Sequence, residues 1–316
     1  MGSVPQQRFK TSQAWNNFIS SGPKITGLEL LDFRKNCYLD IENLRGRPLI
    51  VYASKFIDGS TQGAPVSIEL NDVDGFTDLV NHITGTDSID VLIHSPGGSP
   101  VATERIVTVL RSKFSHVHFL VPHSAYSAAT MLALSGDSIV LHPNATLGPI
   151  DPQINGVPAR SIKRGFENVK RKIIEEGPEA LPAYLPLIEK YTLDLLELCD
   201  DSEKLSKELV RNWIRKYMFK GKINSAIIKK AIDYFSDYDR HLIHARPLTF
   251  NKVKHLKLNI EVADPALSEL LWESYILLNG FFNMSPFVKV YESAHGISWG
   301  RQFQQMIQIP QQVLKH

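Results

Sequence analysis

Val91-Leu92-Ile93-His94-Ser95-Pro96-Gly97-Gly98-Ser99-Pro100 reads as an apolar strand that passes through a glycine turn into a helix. The opening residues suit a buried strand of a parallel sheet. Gly97 and Gly98 can adopt backbone angles closed to other residues, which leaves bare N–H groups free to face a ligand. Ser99 followed by Pro100 is a helix start: a hydroxyl cap, then proline at the first helical position. Exposed amides beside a helix N-terminus favour negative charge.

Working outward from this turn, strands and helices alternate. Pro48–Ala53 reads as a strand and Asp72–Ile83 as a helix with Phe76, Leu79, Val80 and Ile83 on one face. Strand Asp90–His94 leads to helix Pro100–Ser112. Strand His116–Val121, a helix over about Tyr126–Leu134 and strand Ser138–Leu141 follow. This alternation predicts right-handed crossovers and a mostly parallel sheet, an α/β fold. Residues 55–66 read as a loop or flap. Upstream, Trp15, Phe18, Leu28, Leu30, Leu31 and Phe33 suggest short elements lying on the core.

After Pro158 the pattern becomes helical: Ile162–Glu176, Leu187–Leu198, Glu203–Tyr217 and Ala226–Tyr234. Residues 250–262 read as helix then strand (Val253–Val262), Pro265–Phe282 as an apolar-faced helix, and Phe287–Tyr291 as an edge strand. The organisation expected is an N-terminal extension (1–47), a core (48–158), a helical subdomain with a closing segment (159–262), and a C-terminal helix and tail (263–316).

Composition narrows the classes. Of 316 residues, 43% are hydrophobic and 22% charged, as in ordinary globular proteins. A net charge of +2 gives no polyanion footprint, and no nucleic-acid motif is present. No apolar run reaches the length of a membrane span, and the polar stretch Met1–Asn17 predicts no cleaved leader. Cys37 and Cys199 stand apart without metal-ligand spacing, consistent with reduced thiols in a cytoplasmic protein. There is no P-loop and no His-Glu-x-x-His, so neither metal nor cofactor is expected.

A second stretch, Pro122-His123-Ser124-Ala125-Tyr126-Ser127-Ala128-Ala129-Thr130-Met131, also follows a strand and opens a helix. Small neighbours surround Ser127 and permit tight packing against another loop. If the diglycine turn lies alongside, Ser127 can attack a carbonyl while main-chain amides of Gly97, Gly98 and Ala128 hold the oxyanion. The bland alternative is a serine that caps an alanine-rich core helix.

Three segments together carry a family resemblance: His94-Ser95-Pro96-Gly97-Gly98, Ser127-Ala128-Ala129-Thr130-Met131 and Leu147-Gly148-Pro149-Ile150-Asp151-Pro152-Gln153. Weaker support comes from Ile188–Tyr191 and His244-Ala245-Arg246-Pro247-Leu248-Thr249. The chain resembles the Clp-protease/crotonase superfamily, and within it the serine dehydrogenase proteinase family, relatives of signal peptide peptidase A. The resemblance spans roughly residues 48–262. It implies a spiral of ββα units, a homo-oligomer and hydrolysis of a peptide or protein substrate through a serine acyl-enzyme.

The base is less determined. Clp peptidases place a histidine where this chain reads Pro149-Ile150-Asp151. The signal peptide peptidase A branch uses a lysine on a later helix, and serine–lysine pairs are a known variant of triad chemistry. Lys190, after apolar Leu187 and Ile188, is the choice that resemblance favours. Lys163, Lys170 and Lys172 lie in a basic run expected to be solvated. His142, His244 and Asp151 are secondary candidates, and His94 and His123 read as structural. Two other functions stay open: an acyl-thioester enzyme using the same amides on an enolate, and a catalytically silent scaffold.

Overall fold

Seven strands form one central sheet, and alternate residues along them face opposite layers of helices. The computed structural model describes residues 7–22, 25–57, 63–189, 191–222 and 225–303. Helices α1 (Ser12–Ser21) and α2 (Gly27–Arg45) precede β1 (Leu49–Ser54). Then come α3 (Asp72–His82), β2 (Ser88–His94), α4 (Pro100–Lys113), β3 (His116–Val121), β4 (Ser124–Ala125), α5 (Ala128–Leu134) and β5 (Ser138–Leu141). Short strands β6 (Thr146–Leu147), β7 (Gln153–Ile154) and β8 (Val157–Pro158) lead to α6 (Ala159–Glu176), α7 (Leu181–Ile188), α8 (Leu193–Trp213), α9 (Ser225–Ser236) and α10 (Tyr238–His241). The chain continues through β9 (Leu248–Thr249), α11 (Phe250–Val253), β10 (Ile260–Val262), α12 (Pro265–Met284), β11 (Phe287–Ser293) and β12 (Ser298–Gln302).

The sheet order is β10-β5-β3-β2-β1-β11-β12. The five strands from β10 to β1 run parallel, and β11 and β12 add antiparallel. Ile50, Tyr52, Val91, Ile93, Phe119 and Ile139 point into a layer with α3, α4, α5, α8 and α9. Their neighbours Val51, Leu92, Leu120 and Val140 point into a layer with α1, α2 and α12. Both faces are covered, which explains why the parallel strands read as continuous apolar runs. Ser99 caps α4 by accepting from the Ala102 N–H at 3.2 Å, with Pro100 at its first turn. No described helix is long and apolar enough to cross a membrane.

Several sequence expectations are revised. Ser12–Ser21 and Gly27–Arg45 form two full helices, not short elements. Thr26 and Glu29 make a reciprocal capping box for α2. Its buried stripe includes Arg34, so hydrophobic periodicity alone understates it. The helix expected over 187–198 is two helices: α7 ends at Ile188, and Thr192 caps α8 through the Leu195 N–H at 3.1 Å. The stretch from Glu203 joins α8. β11 is interior to the sheet and β12 lies outside it, so 287–291 is not an edge. Leu267, Leu271 and Leu278 of α12 are core residues beneath the sheet. Residues 263–302 therefore belong to the core layers and sheet. Both cysteines are free and buried.

A buried ion pair joins this C-terminal part to α2. Arg34 donates to both carboxylate oxygens of Glu292, at 3.0 and 2.7 Å, and Tyr38 donates its hydroxyl to Glu292 at 2.8 Å. Removing one partner strands the other charge away from water. Arg34→Met should lower the unfolding free energy by about 3–5 kcal/mol in a denaturant titration. Arg34→Met with Glu292→Leu should recover most of that loss; a single variant as stable as the parent would contradict this role for the pair.

Candidate active site

A second, smaller sheet gathers three distant segments. β4 pairs in parallel with β6, and β6 pairs antiparallel with β9. Ser127 follows β4, Asp151 follows β6, and His244 precedes β9. This sheet of two-residue strands sits beyond the C-terminal ends of β2 and β3, where ligands bind in open α/β sheets. The link to the main sheet is Ser95, whose N–H donates to Ser124 O at 3.1 Å and whose carbonyl accepts from Tyr126 N at 3.0 Å.

Ser127 occupies a backbone conformation that side chains rarely adopt, with φ 50° and ψ −122°. Such strain costs on the order of 1–3 kcal/mol and persists only where surrounding contacts impose it. Its side chain makes no capping hydrogen bond to α5, which sets aside the helix-cap alternative. Thr130 fixes the turn by donating to Ala125 O at 2.7 Å and accepting from Gly148 N at 2.9 Å. Ala128 is the first residue of α5, so its N–H has no acceptor within the helix.

The diglycine turn lies against the Ser127 turn. A Cβ on Gly97 would sit 2.4 Å from Tyr126 O, 2.7 Å from Ala128 N and 2.8 Å from Ser127 Cβ. Behind the turn, Ile68 donates to Gly97 O at 2.7 Å and accepts from Ser99 N at 2.8 Å. In this short parallel bridge Ile68 bonds to the residues on either side of Gly98, so the Gly98 N–H points away from Ile68. The Gly97 N–H is instead committed to Ser95 Oγ at 3.2 Å. Of the three amides expected to hold an oxyanion, Gly98 and Ala128 are the pair left uncommitted.

His244 and Asp151 share the same cleft, a cavity of about 440 Å³ that Ser127 and Gly98 also line. His244 Nδ1 lies 3.0 Å from Asp151 Oδ1. The contact is within ion-pair reach but not aligned as a hydrogen bond, and neither carboxylate oxygen has another hydrogen-bond partner. Asp151 is 3% exposed, and among the described residues its one close ionisable partner is this imidazole. Met131, Ile150, Val101 of α4, and Ser202, Leu205 and Ser206 of α8 also line the cleft.

The remaining candidates lie elsewhere. Lys163 is held by Asp200 at 2.5 Å and Glu203 at 3.1 Å. Burial alone would lower its pKa, but the two carboxylates outweigh burial and raise it, so it stays charged. Lys170 and Lys172 are exposed on α6. Lys190 lies outside the described residues. His142 stacks on Trp272 with centroids 5.4 Å apart, in the company of α12. His123 stacks on Tyr275 at 4.4 Å, and His94 packs between Phe56 and Tyr275.

Burial lowers the pKa of all three of these histidines, His94 furthest, to about 3. The native state therefore binds fewer protons here than the unfolded chain, whose histidines titrate near about 6.5. Stability should be fully present above that pH and fall progressively below it. Thermal unfolding followed from pH 7 to pH 4 should show the decline, and His94→Gln should flatten it. Gly97→Ala should wedge the turn away from Ser127 and slow labelling by a fluorophosphonate at least tenfold, with far-UV circular dichroism unchanged.

An uncharacterized protein of Methanocaldococcus jannaschii, MJ1495, is 26% identical over 244 residues, covering 77% of this chain and 76% of its own. A second from the same organism, MJ0137, is 25% identical over 261 residues, covering 82% and 84%. The family described as "ClpP-like SDH-type serine proteinase" matches residues 17–278, a span holding the glycine turn, Ser127, Asp151 and His244, and the chain belongs to that family.

Proposed function

We propose that the protein is a serine peptidase in which Ser127 is the nucleophile, His244 the general base and Asp151 the group that orients it. The observation that carries this reading is the contact of Gly97 against the strained Ser127 turn in the cleft that also holds the His244–Asp151 pair. With Nδ1 facing Asp151, Nε2 of His244 is the ring nitrogen left for Ser127. It takes the hydroxyl proton as Oγ attacks the peptide carbonyl, and later returns it to the departing amine. The developing oxyanion is held by the Gly98 and Ala128 N–H groups, aided by the N-terminus of α5. Water then hydrolyses the acyl-enzyme by the same route in reverse.

The order Ser–Asp–His along the chain is no obstacle, because such triads are recognised by geometry and recur in several orders. It also accounts for the missing histidine at Pro149-Ile150-Asp151: the carboxylate stands there, and the imidazole comes from the turn before β9. The acyl-thioester reading finds less support, since none of the described residues lining the cleft is a lysine or arginine that would meet a phosphorylated carrier.

Hydrolysis of a peptide mixture, read by mass spectrometry, tests the assignment. Ser127→Ala should abolish turnover and fluorophosphonate labelling. His244→Ala and Asp151→Ala should each lower kcat by two orders of magnitude or more. Turnover lost in Lys190→Met but kept in His244→Ala would replace the triad with the serine–lysine dyad. Turnover that survives Ser127→Ala would end the peptidase reading.

A further inference from the structure

The helical subdomain contributes more than a cover. α8 places Ser202, Leu205 and Ser206 in the wall of the cleft that holds Ser127 and His244. Leu205 is 37% exposed although the cores on both sides of the sheet are well filled. One helical stripe further along, Leu198 is 49% exposed. Positions 198, 202 and 205 follow i, i+4 and i+7, so the two leucines share a face, with Ser202 between them on the side that lines the cleft and exposed Asp201 flanking them on the other. They are separated by about 10 Å along the axis, the span of about three residues of extended chain. The same cleft is lined by Val101 of α4, also 49% exposed, and by buried Met131 and Ile150. The described lining residues include no lysine or arginine, and the ionisable side chains among them are His244 and Asp151.

We infer that the Leu198–Ser202–Leu205 face of α8 is a substrate subsite that selects extended polypeptide segments bearing apolar side chains. Cleavage of the bound segment rests on the peptidase reading; its binding does not. Ser202 keeps the stripe low enough for a chain to lie along it. Leu205 faces a side chain close to the reacting carbonyl, and Leu198 faces a second one further along. Seating one leucine-sized side chain discriminates by roughly 10- to 200-fold against a small polar one.

Binding is best measured on Ser127→Ala, which holds peptides without turnover. The probe is a fluorescein-labelled twelve-residue peptide with leucines three residues apart, compared by anisotropy with the same peptide carrying serines instead. The leucine peptide should bind at least tenfold tighter. Adding Leu205→Gln, and separately Leu198→Gln, should erase most of that preference, whereas Leu205→Met should restore it. Both sites are exposed enough that the glutamine should leave the thermal unfolding midpoint within a few degrees. Equal affinity for the two peptides, no binding of either, or a preference unmoved by both glutamine variants would overturn the subsite. Preferential binding without turnover in the parent enzyme would instead remove the peptidase reading and leave the subsite standing.

Discussion

The van der Waals contact between Gly97 and the Ser127 turn is the constraint on which the site depends. Two chain segments that each leave a strand for a helix can approach this closely only if one of them has no side chain. The approach has several supports. Ser95 pairs with both sides of the Ser124–Tyr126 segment, Thr130 ties the serine turn to Gly148, and Ile68 backs the glycines. None of these is strong alone; a typical hydrogen bond contributes about 1 kcal/mol net. Together they hold Ser127 at a positive φ that a free chain would abandon.

Much of this was legible from residues. The strand at Val91–His94, the Ser99-Pro100 helix start and the apolar runs of a doubly covered sheet all carry local signals that tertiary packing then agrees with. Ser127 and the diglycine were visible because turn chemistry is written in single residues. Pairing Asp151 with His244 was not visible. Ninety-odd residues and an entire helical subdomain lie between them, and only the miniature sheet of β4, β6 and β9 brings them together. Two-residue strands leave no periodicity to read. Gly97 shows the complementary limit: the sequence marks it as special but does not say whether its amide or its missing side chain matters. Here the amide goes to Ser95, and the space where a Cβ would sit is what the site uses.

Polar burial also escaped periodic reading. Arg34 lies in the buried stripe of α2 because Glu292 meets it there, and Lys289 is fully enclosed beside Asp72. A pattern search treats such residues as solvent-facing. Each is instead a long-range tie, and each reaches the late strand β11. That strand, expected at an edge, lies inside the sheet because β12 folds back over it.

Lys289 has a further reach. Its ammonium donates to Ser67 O at 2.5 Å and to Asp72 at 2.9 and 3.0 Å; Asp72 also accepts from Glu69 N, Tyr52 and Tyr291. The segment so anchored is the one whose Ile68 backs the diglycine turn. During biosynthesis, the ribosome therefore delivers the serine long before it delivers the cation that braces the turn opposite. A nascent chain cut short of β11 carries Ser127, Asp151 and His244 without that brace, so the order of translation itself postpones completion of the cleft until β11 has emerged.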